Sequence, residues 1–274
     1  MMQLTIEHTT HYQYSEPLLY SIQQLRLTPQ DGFGQKVKHW TILVNGQLFQ
    51  YQDAHGNVMH QVVVDSNHQE LKIVAKGEVE TGFAHDRQDS ELPLQVYLRH
   101  TRLTDTSQQL VQFAQSLQAP KNLQDLLAIS RRIIQQVPYQ KGSTEVYTTA
   151  SEALATGKGV CQDHAHIFIS LCRLLDVPAR YVSGYLYTQD GHLLESHAWA
   201  DAWIEQLGWV SVDVSNCSHI NGSHVRLATG LDYHDACPVS GIRVGGGDEQ
   251  MQAQVHVNSL NPGLAAQMAQ SQQQ

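Results

Sequence analysis

The chain has 274 residues, of which 41% are hydrophobic, so it is long enough for one large or two small domains and is not a disordered chain. Its 17 basic and 26 acidic residues give a net charge of −9, which argues against nucleic-acid binding through a broad basic surface. The start lacks a basic segment followed by an apolar stretch, and no apolar run reaches the roughly 18 residues of a membrane span, so we expect a cytoplasmic protein with no membrane partner.

The first 80 residues have the pattern of a β-rich domain. A run of β-branched and aromatic residues ends at Asn45-Gly46, and a second run with aromatic residues follows directly. Because Asn-Gly tolerates the positive φ angles of a type I′ turn, we predict a β-hairpin there. Short strands separated by turn signals are typical of a small sandwich or barrel. The strands predicted in this half cover residues 37–44, 48–51, 58–64 and 71–79.

The hydrophobic period changes after a polar stretch at residues 81–90, which we interpret as the link between two domains. Helical spacing follows, and strands then return. Predicted helices cover 103–117, 122–137, 151–155 and 160–175, and predicted strands cover 179–187, 197–204, 208–214, 241–244 and 251–257. We therefore divide the chain into a β-rich N-terminal domain (1–85), a second domain (86–260) and a Gln- and Ala-rich tail (261–274) that we expect to be disordered.

The strongest chemical signal is a cysteine at the start of a predicted helix. Gly157 and Gly159 interrupt the preceding structure, and an apolar helical face begins at Cys161. A thiol in the first helical turn lies at the positive end of the helix dipole, beside backbone N–H groups without helical partners, and both features favour the thiolate. The same N–H groups can receive a developing oxyanion. The competing interpretation is an inert buried thiol, which is what we expect of Cys172, deeper in the same helix.

A base for that thiol is suggested by the strand that begins at His197. Alternation places His197, Trp199 and Asp201 on one face and three alanines on the other. A polar and aromatic face opposite small residues is more typical of a cleft wall than of a solvent face. An antiparallel turn centred on Glu205 places His197 directly opposite Asp213, and a turn centred one residue later makes them diagonal neighbours on the same face. Both registers are compatible with a hydrogen-bonded pair, whereas a tight two-residue turn places the two side chains on opposite faces of the sheet. The spacing therefore permits the pair without requiring it.

Neighbours of Cys161 offer alternatives. His164 is a rival base, but a side chain on the same helix is poorly placed to act from across a cleft, so His197 is preferred. His166 points away from Cys161 and no fourth ligand is suggested, so we expect no metal and no cofactor. Tyr139 can be interpreted as a hydrogen-bond donor to an oxyanion, although a partly buried core tyrosine is the favoured interpretation.

Four blocks of the sequence, in this order, resemble the core of the transglutaminase-like superfamily, whose papain-like thiol enzymes carry a Cys–His–Asp triad. The first half resembles the β-rich N-terminal region of the bacterial branch, and the match covers nearly the whole chain except the tail. One block alone is a weak signal, whereas four in order are specific. The blocks are Gly159-Val160-Cys161-Gln162-Asp163-His164-Ala165-His166, Pro178-Ala179-Arg180-Tyr181-Val182-Ser183-Gly184-Tyr185, Ser196-His197-Ala198-Trp199 and Gly208-Trp209-Val210-Ser211-Val212-Asp213, joined by His224-Val225-Arg226 and Asp232-Tyr233.

The resemblance implies site residues as well as a fold. It assigns Cys161 as the nucleophile, His197 as the general base and then acid, and Asp213 as the carboxylate that orients His197. Two positions depart from the family pattern: His164 stands where an aromatic residue is common, and Val214 follows the aspartate where proline is common. Neither departure removes a member of the triad, and both bear on the shape of the cleft.

The resemblance further implies an α+β fold, in which a papain/transglutaminase-like core packs a helix bearing the cysteine on an antiparallel sheet, after a β-rich N-terminal domain. Residues 86–260 are then the catalytic core. The implied activity is acyl transfer on amide bonds of a peptide or protein substrate, through a thioester. We prefer hydrolysis by a cysteine protease or amidase, because water is always available and nothing marks an amine site. Cross-linking of protein glutamines, a non-catalytic binding protein that retains the fold, and a metal-dependent hydrolase are the alternatives.

Overall fold

The computed structural model describes residues 1–65, 67–84, 92–188 and 196–260, so the predicted tail and most of the predicted link, 85–90, lie outside the described residues. Within those ranges, no helix is both long and apolar enough to cross a bilayer. The strands are Met2–Leu25 (β1), Gln35–Val44 (β2), Gln47–Gln52 (β3), Val58–Val64 (β4), His68–Thr81 (β5), Ala179–Leu186 (β6), His197–Ile204 (β7), Gly208–Asp213 (β8), Ser218–His219 (β9), His224–Gly230 (β10), Val239–Gly245 (β11) and Glu249–Ser259 (β12). The helices are Gln108–Gln115 (α1), Leu123–Gln136 (α2), Ala150–Thr156 (α3), Cys161–Leu174 (α4) and Tyr233–Ala236 (α5), with a 3-10 helix at Leu94–Leu98.

The N-terminal strands form a barrel-like antiparallel sheet built around the long strand β1. The order is β2-β5-β1-β4-β3, and β11 and β12 both pair with β1. The strands predicted at 241–244 and 251–257 are therefore confirmed as strands, and the chain returns to the first sheet to place them. The domain boundary that we placed after residue 85 remains a prediction.

The predicted hairpin at Asn45-Gly46 is wrong. β2 pairs with β5 and β3 pairs with β4, so the two strands lie at opposite ends of the sheet order, and neither turn residue has a positive φ. Asn45 instead bonds the backbone of β5, where it donates to the Glu70 carbonyl and accepts from the Lys72 amide. A link of two residues spans at most about 11 Å between Cα atoms, so the sheet must curl to bring its two edges together.

The predicted helices lie where expected, with one correction. The helix predicted at 103–117 begins only at Gln108, because Ser107 caps it by accepting from the Leu110 amide. Before that cap, the side chains of Thr101 and Thr104 each accept from the other's backbone amide, and such local bonds compete with helix formation.

The second sheet has the order β10-β6-β7-β8-β9 and is antiparallel throughout, as the α+β expectation requires. Helix α4 packs on the face of β7 that carries Ala198, Ala200 and Ala202, and these residues share one buried core with the apolar side of α4. Because alanine is small, the helix approaches the sheet closely, and this brings the first turn of α4 near the start of β7.

The two sheets contact each other through β10. The side-chain amide of Gln35 forms a pair of hydrogen bonds with the backbone of Arg226, at 3.0 and 2.8 Å, and Asn57 does the same with Thr229, at 2.7 and 2.8 Å. Both amides come from loops or strand ends of the first sheet. The N-terminal region therefore holds β10 in place by backbone contacts that do not depend on the side chains of β10.

Gly184 is expected to be intolerant of a side chain. A Cβ at this position of β6 would collide with the Val225 carbonyl and the Trp199 ring, both of which are buried. We predict that Gly184→Ala lowers the free energy of unfolding by about 1–3 kcal/mol, measured by urea denaturation. The control is Gly222→Ala, whose Cβ would meet only ordinary contacts with Met2 and is expected to leave stability nearly unchanged. Equal stabilities for the two variants would contradict the prediction.

Candidate active site

Cys161 is the first residue of α4, as predicted, and it is partly exposed. The first intrahelical bond runs from the His164 amide to the Val160 carbonyl, so the earlier amides of the turn lack helical acceptors. Asp163 closes this end of the helix, since its Oδ2 accepts from the Val160 amide at 2.7 Å and from the Thr144 hydroxyl at 2.6 Å. The buried Asp163 side chain packs closely against Gly159, just before the helix, and leaves no room for a Cβ at that position.

The hairpin of β7 and β8 has the second of the two predicted registers. Trp203 faces Trp209 and Ile204 faces Gly208, so the turn is centred on Gln206 and not on Glu205. His197 is accordingly a diagonal neighbour of Asp213. Its Nε2 donates to Asp213 Oδ2 at 2.8 Å.

His197 and Cys161 line the same cavity, and the thiol lies near enough to the imidazole to influence its pKa. Because Nε2 is taken by Asp213, the nitrogen that remains for the thiol is Nδ1. The structure therefore brings together all three residues that the sequence singled out, Cys161, His197 and Asp213.

Asp213 is fully buried and accepts four hydrogen bonds. Besides His197, these come from His224 Nε2 at 3.0 Å, from Asn216 Nδ2 at 2.7 Å and from the Asn216 amide at 3.2 Å. Burial works against ionisation, but the bonds from His197 and His224 outweigh it and hold the pKa of Asp213 well below its usual range. The carboxylate is therefore a fixed negative charge.

That charge changes the protonation of His197. Burial disfavours the imidazolium, but the hydrogen bond to Asp213, the charge of that carboxylate and the neighbouring Cys161 sulfur raise the pKa of His197 to about 10. The buried carboxylate therefore favours the cationic form of the ring, which is the form that results when His197 takes a proton.

The other histidines near the thiol are engaged elsewhere. His164 is fully buried, donates from Nε2 to the Val137 carbonyl at 2.8 Å, and accepts from the Ser215 hydroxyl at 2.8 Å. Burial lowers the pKa of His164 to about 4 and that of His166 to about 3. Both ring nitrogens of His164 are occupied, so it is a packing residue of the core and not a rival base.

A cavity of about 580 Å³ opens over Cys161 and His197. Tyrosine side chains contribute to its walls, namely Tyr139, Tyr181 and Tyr233. Tyr139 is 56% exposed, so the interpretation of this residue as a partly buried core tyrosine is wrong. The cavity is large enough for an extended peptide segment or an acyl side chain to reach the sulfur.

The interpretation of one face of β7 as a cleft wall holds only at its first residue. His197 lines the cavity, whereas Trp199 and Asp201 on the same face are fully buried. A loop of the first sheet packs on the arginines beside them, with the centroid of the Phe33 ring 4.0 Å from the guanidinium carbon of Arg226 and 5.3 Å from that of Arg180. Asp201 is paired with the Arg226 guanidinium at 2.8 and 2.9 Å. The polar face is therefore an interface between the two sheets.

Two family comparisons match most of the described chain. Residues 4–80 match the bacterial transglutaminase-like N-terminal region, and residues 111–214 match the core of the transglutaminase-like superfamily. The chain belongs to the transglutaminase-like superfamily. An uncharacterised protein of Mycobacterium leprae is 28% identical to this transglutaminase-like chain over 291 aligned residues, covering 95% of this chain and 100% of that protein. An uncharacterised protein of Mycobacterium bovis is 25% identical, covering 86% of each.

Structural comparison agrees with the family. A crystal structure assigned as a candidate cysteine protease of Cytophaga hutchinsonii superposes with a TM-score of 0.76 at 24% identity, covering 94% of this chain and 91% of that one. The likeness establishes that the two chains share one fold.

Sequence reasoning missed two partners of this transglutaminase-like site. His224 belongs to a block that carried the resemblance, but no role was attached to it, and Asn216 was not singled out. For Asn216 a signal was present, because an Asn three residues after an Asp is well placed to donate back to its carboxylate. For His224 no local signal existed, since eleven residues and a change of strand separate it from Asp213.

Proposed function

We propose that this protein is a thiol-dependent acyl-transfer enzyme that hydrolyses amide bonds of a peptide or protein, with Cys161, His197 and Asp213 as its triad. The observation that carries the proposal is the single imidazole of His197, which lies at the same cavity as the Cys161 thiol and donates to a buried carboxylate. A thiol becomes an effective nucleophile when a positioned imidazole takes its proton and a third group orients that imidazole.

The reaction follows from these positions. The Cys161 thiolate attacks the amide carbon, and the amides of the first turn of α4 donate to the oxyanion. His197 then gives the proton that it took from the thiol to the leaving amine, the C–N bond breaks, and a thioester on Cys161 remains. A water molecule that loses a proton to His197 attacks the thioester, releases the acid and restores the thiol.

The tyrosine-rich cavity supports a peptide-like substrate. Aromatic walls with a few polar groups suit an extended chain, because rings pack against its apolar parts while hydroxyl groups reach its amides. The sulfur is partly exposed at this cavity, so a substrate can approach it directly.

The test is selective alkylation of Cys161 by iodoacetamide near pH 6, followed by intact-mass analysis. We expect one equivalent, on Cys161, because its sulfur is partly exposed at the cavity and lies beside His197, which can take its proton. Burial raises the pKa of the Cys172 thiol to about 12, and burial also raises the pKa of Cys217 and of Cys237, so these three are expected to react slowly. Equal sluggishness of all four thiols would overturn the proposal.

A second measurement identifies the acceptor. The protein is exposed to a peptide library, and the mass of an acyl adduct is sought on Cys161, with Cys161→Ala as the control that cannot form it. Release of the adduct into water supports the hydrolase. Transfer of the acyl group to an added primary amine in preference to water contradicts the hydrolase and indicates a cross-linking enzyme. The absence of any adduct, with or without the amine, favours a binding protein that retains the fold.

A further inference from the structure

We propose that His224 is a positioning residue for the triad, which holds the Asp213 carboxylate in the orientation that His197 requires. The inference rests on the proposed function of the same site. It adds to the site a fourth side chain, which comes from β10, a strand that carries no member of the triad.

The geometry around Asp213 carries the proposal. His224 Nε2 lies 3.0 Å from Asp213 Oδ2, and His197 Nε2 lies 2.8 Å from the same oxygen. A carboxylate only accepts hydrogen bonds, so both imidazoles donate to it through Nε2. His224 is 6% exposed and Asp213 is fully buried, so bulk water does not compete for this oxygen.

The other nitrogen of His224 is held by Asn221, whose backbone amide lies 3.2 Å and whose side-chain oxygen lies 3.3 Å from Nδ1. Because the Asp213 carboxylate only accepts, His224 carries a proton on Nε2 and is a donor to Asp213 rather than a second base. The Trp199 ring packs edge-on against the His224 ring, at 5.4 Å between centroids and 81° between planes, and limits its rotation.

The strand that carries His224 is held from both sheets. Within β10, Arg226 and Thr229 are bonded through their backbones to Gln35 and Asn57 of the N-terminal region, and β6 pairs with the other edge. The position of the His224 ring is thus set by the N-terminal region as well as by the core. This gives that region a part in the site, because it fixes the strand from which the donor projects.

The consequence for the reaction is specific. Without the donor of His224, the Asp213 carboxylate is held only by Asn216 and by His197 itself, and it can rotate. A looser carboxylate orients His197 less well in the transition state, and this lowers kcat. His224 does not line the cavity over Cys161, so substrate binding and KM are expected to stay nearly constant.

The experiment compares His224→Phe, which keeps a ring of similar shape and removes the donor, with His224→Gln, whose side-chain amide places a donor near the position of Nε2. We expect kcat to fall roughly 10- to 100-fold in His224→Phe with KM within about twofold of the parent, since a hydrogen bond to a charged group is lost. His224→Gln is expected to recover most of that loss. Wild-type kcat in a folded His224→Phe protein, or an equal loss in both folded variants, would overturn the inference.

A measurement without turnover separates this inference from the proposed function. Imidazole nitrogen NMR of the otherwise intact Cys161→Ala protein is expected to show a proton on His224 Nε2 that is held in a hydrogen bond. In His224→Phe, the Nε2 proton of His197 is expected to change its chemical shift. A His224 ring with no proton on Nε2 overturns the inference even if His224→Phe does not fold. A failure of Cys161 to react in the wild-type protein overturns the proposed function and leaves this NMR result unaffected.

Discussion

Replacing Asp213 by asparagine is expected to slow Cys161-dependent turnover by roughly 10³- to 10⁴-fold while the substrate still binds. The asparagine side chain keeps the shape of the carboxylate but can present an N–H group to His197. The imidazole then accepts at Nε2 and carries its proton on Nδ1, which is the nitrogen that must take the thiol proton. The negative charge that raises the pKa of His197 is lost at the same time.

The measurement is kcat and KM on a peptide substrate, with iodoacetamide labelling of Cys161 near pH 6 as a second readout. The matched control is Asp176→Asn, the same chemical change at an exposed residue with φ of 59°, a conformation that asparagine adopts readily. It is expected to leave both readouts unchanged. Turnover within a factor of ten of the parent in Asp213→Asn would mean that His197 works without an orienting carboxylate.

Replacing Asp201 by asparagine is expected to destabilise the fold by about 3–5 kcal/mol, because a buried ion pair that loses one partner leaves uncompensated charge. Asp201 accepts from Arg180 Nε at 2.8 Å, from both terminal nitrogens of Arg226, and from the Ser211 hydroxyl at 2.6 Å. All four side chains are buried. Asparagine has nearly the same side-chain volume as aspartate, so the loss of stability is due to the lost charge and not to a cavity.

This second effect has a defined pH dependence. Although burial opposes ionisation of Asp201, Arg226 and Arg180 hold its pKa well below the usual range. A lowered pKa in the folded state stabilises the protein above the unfolded value of about 3.9, and this stabilisation is lost as the pH falls below it. The difference between the parent and Asp201→Asn is therefore expected to be full at pH 7 and to shrink in acid.

Urea denaturation at pH 7 and at acid pH measures both parts of the prediction. Ser211→Ala serves as the matched control, since it removes the hydrogen bonds of the hydroxyl to Asp201 and from Arg226 but keeps all the charges. It is expected to cost less, about 1–2 kcal/mol. Unfolding of Asp201→Asn at the parent's urea midpoint would show that the two arginines are stabilised by other groups.

The success and the failure of the sequence-based expectations have a common physical basis. The helix at Cys161 was predictable because two glycines and the apolar helical spacing that follows them all lie close together in the chain. The pairing of the strands around Asn45 was not predictable, because a strand can form its backbone hydrogen bonds with any neighbouring strand. Here β2 pairs with β5. The predicted burial of Tyr139 was wrong for a similar reason, because the burial of a ring depends on which distant parts of the chain pack against it.

The sequence by itself predicted most of the helices and strands, that the cysteine opens a helix, and that His197 and Asp213 can share a face. It did not predict the long strand β1 or the strand β10. Only the tertiary structure decided the register of β7 and β8, the burial of Asp201 between two sheets, and the approach of His224 to the carboxylate. Local patterns follow from backbone geometry and side-chain periodicity, which act over a few residues. Strand partners and shared hydrogen-bond acceptors are chosen by contacts between residues far apart in the chain, where the folded protein must satisfy buried polar groups all at once.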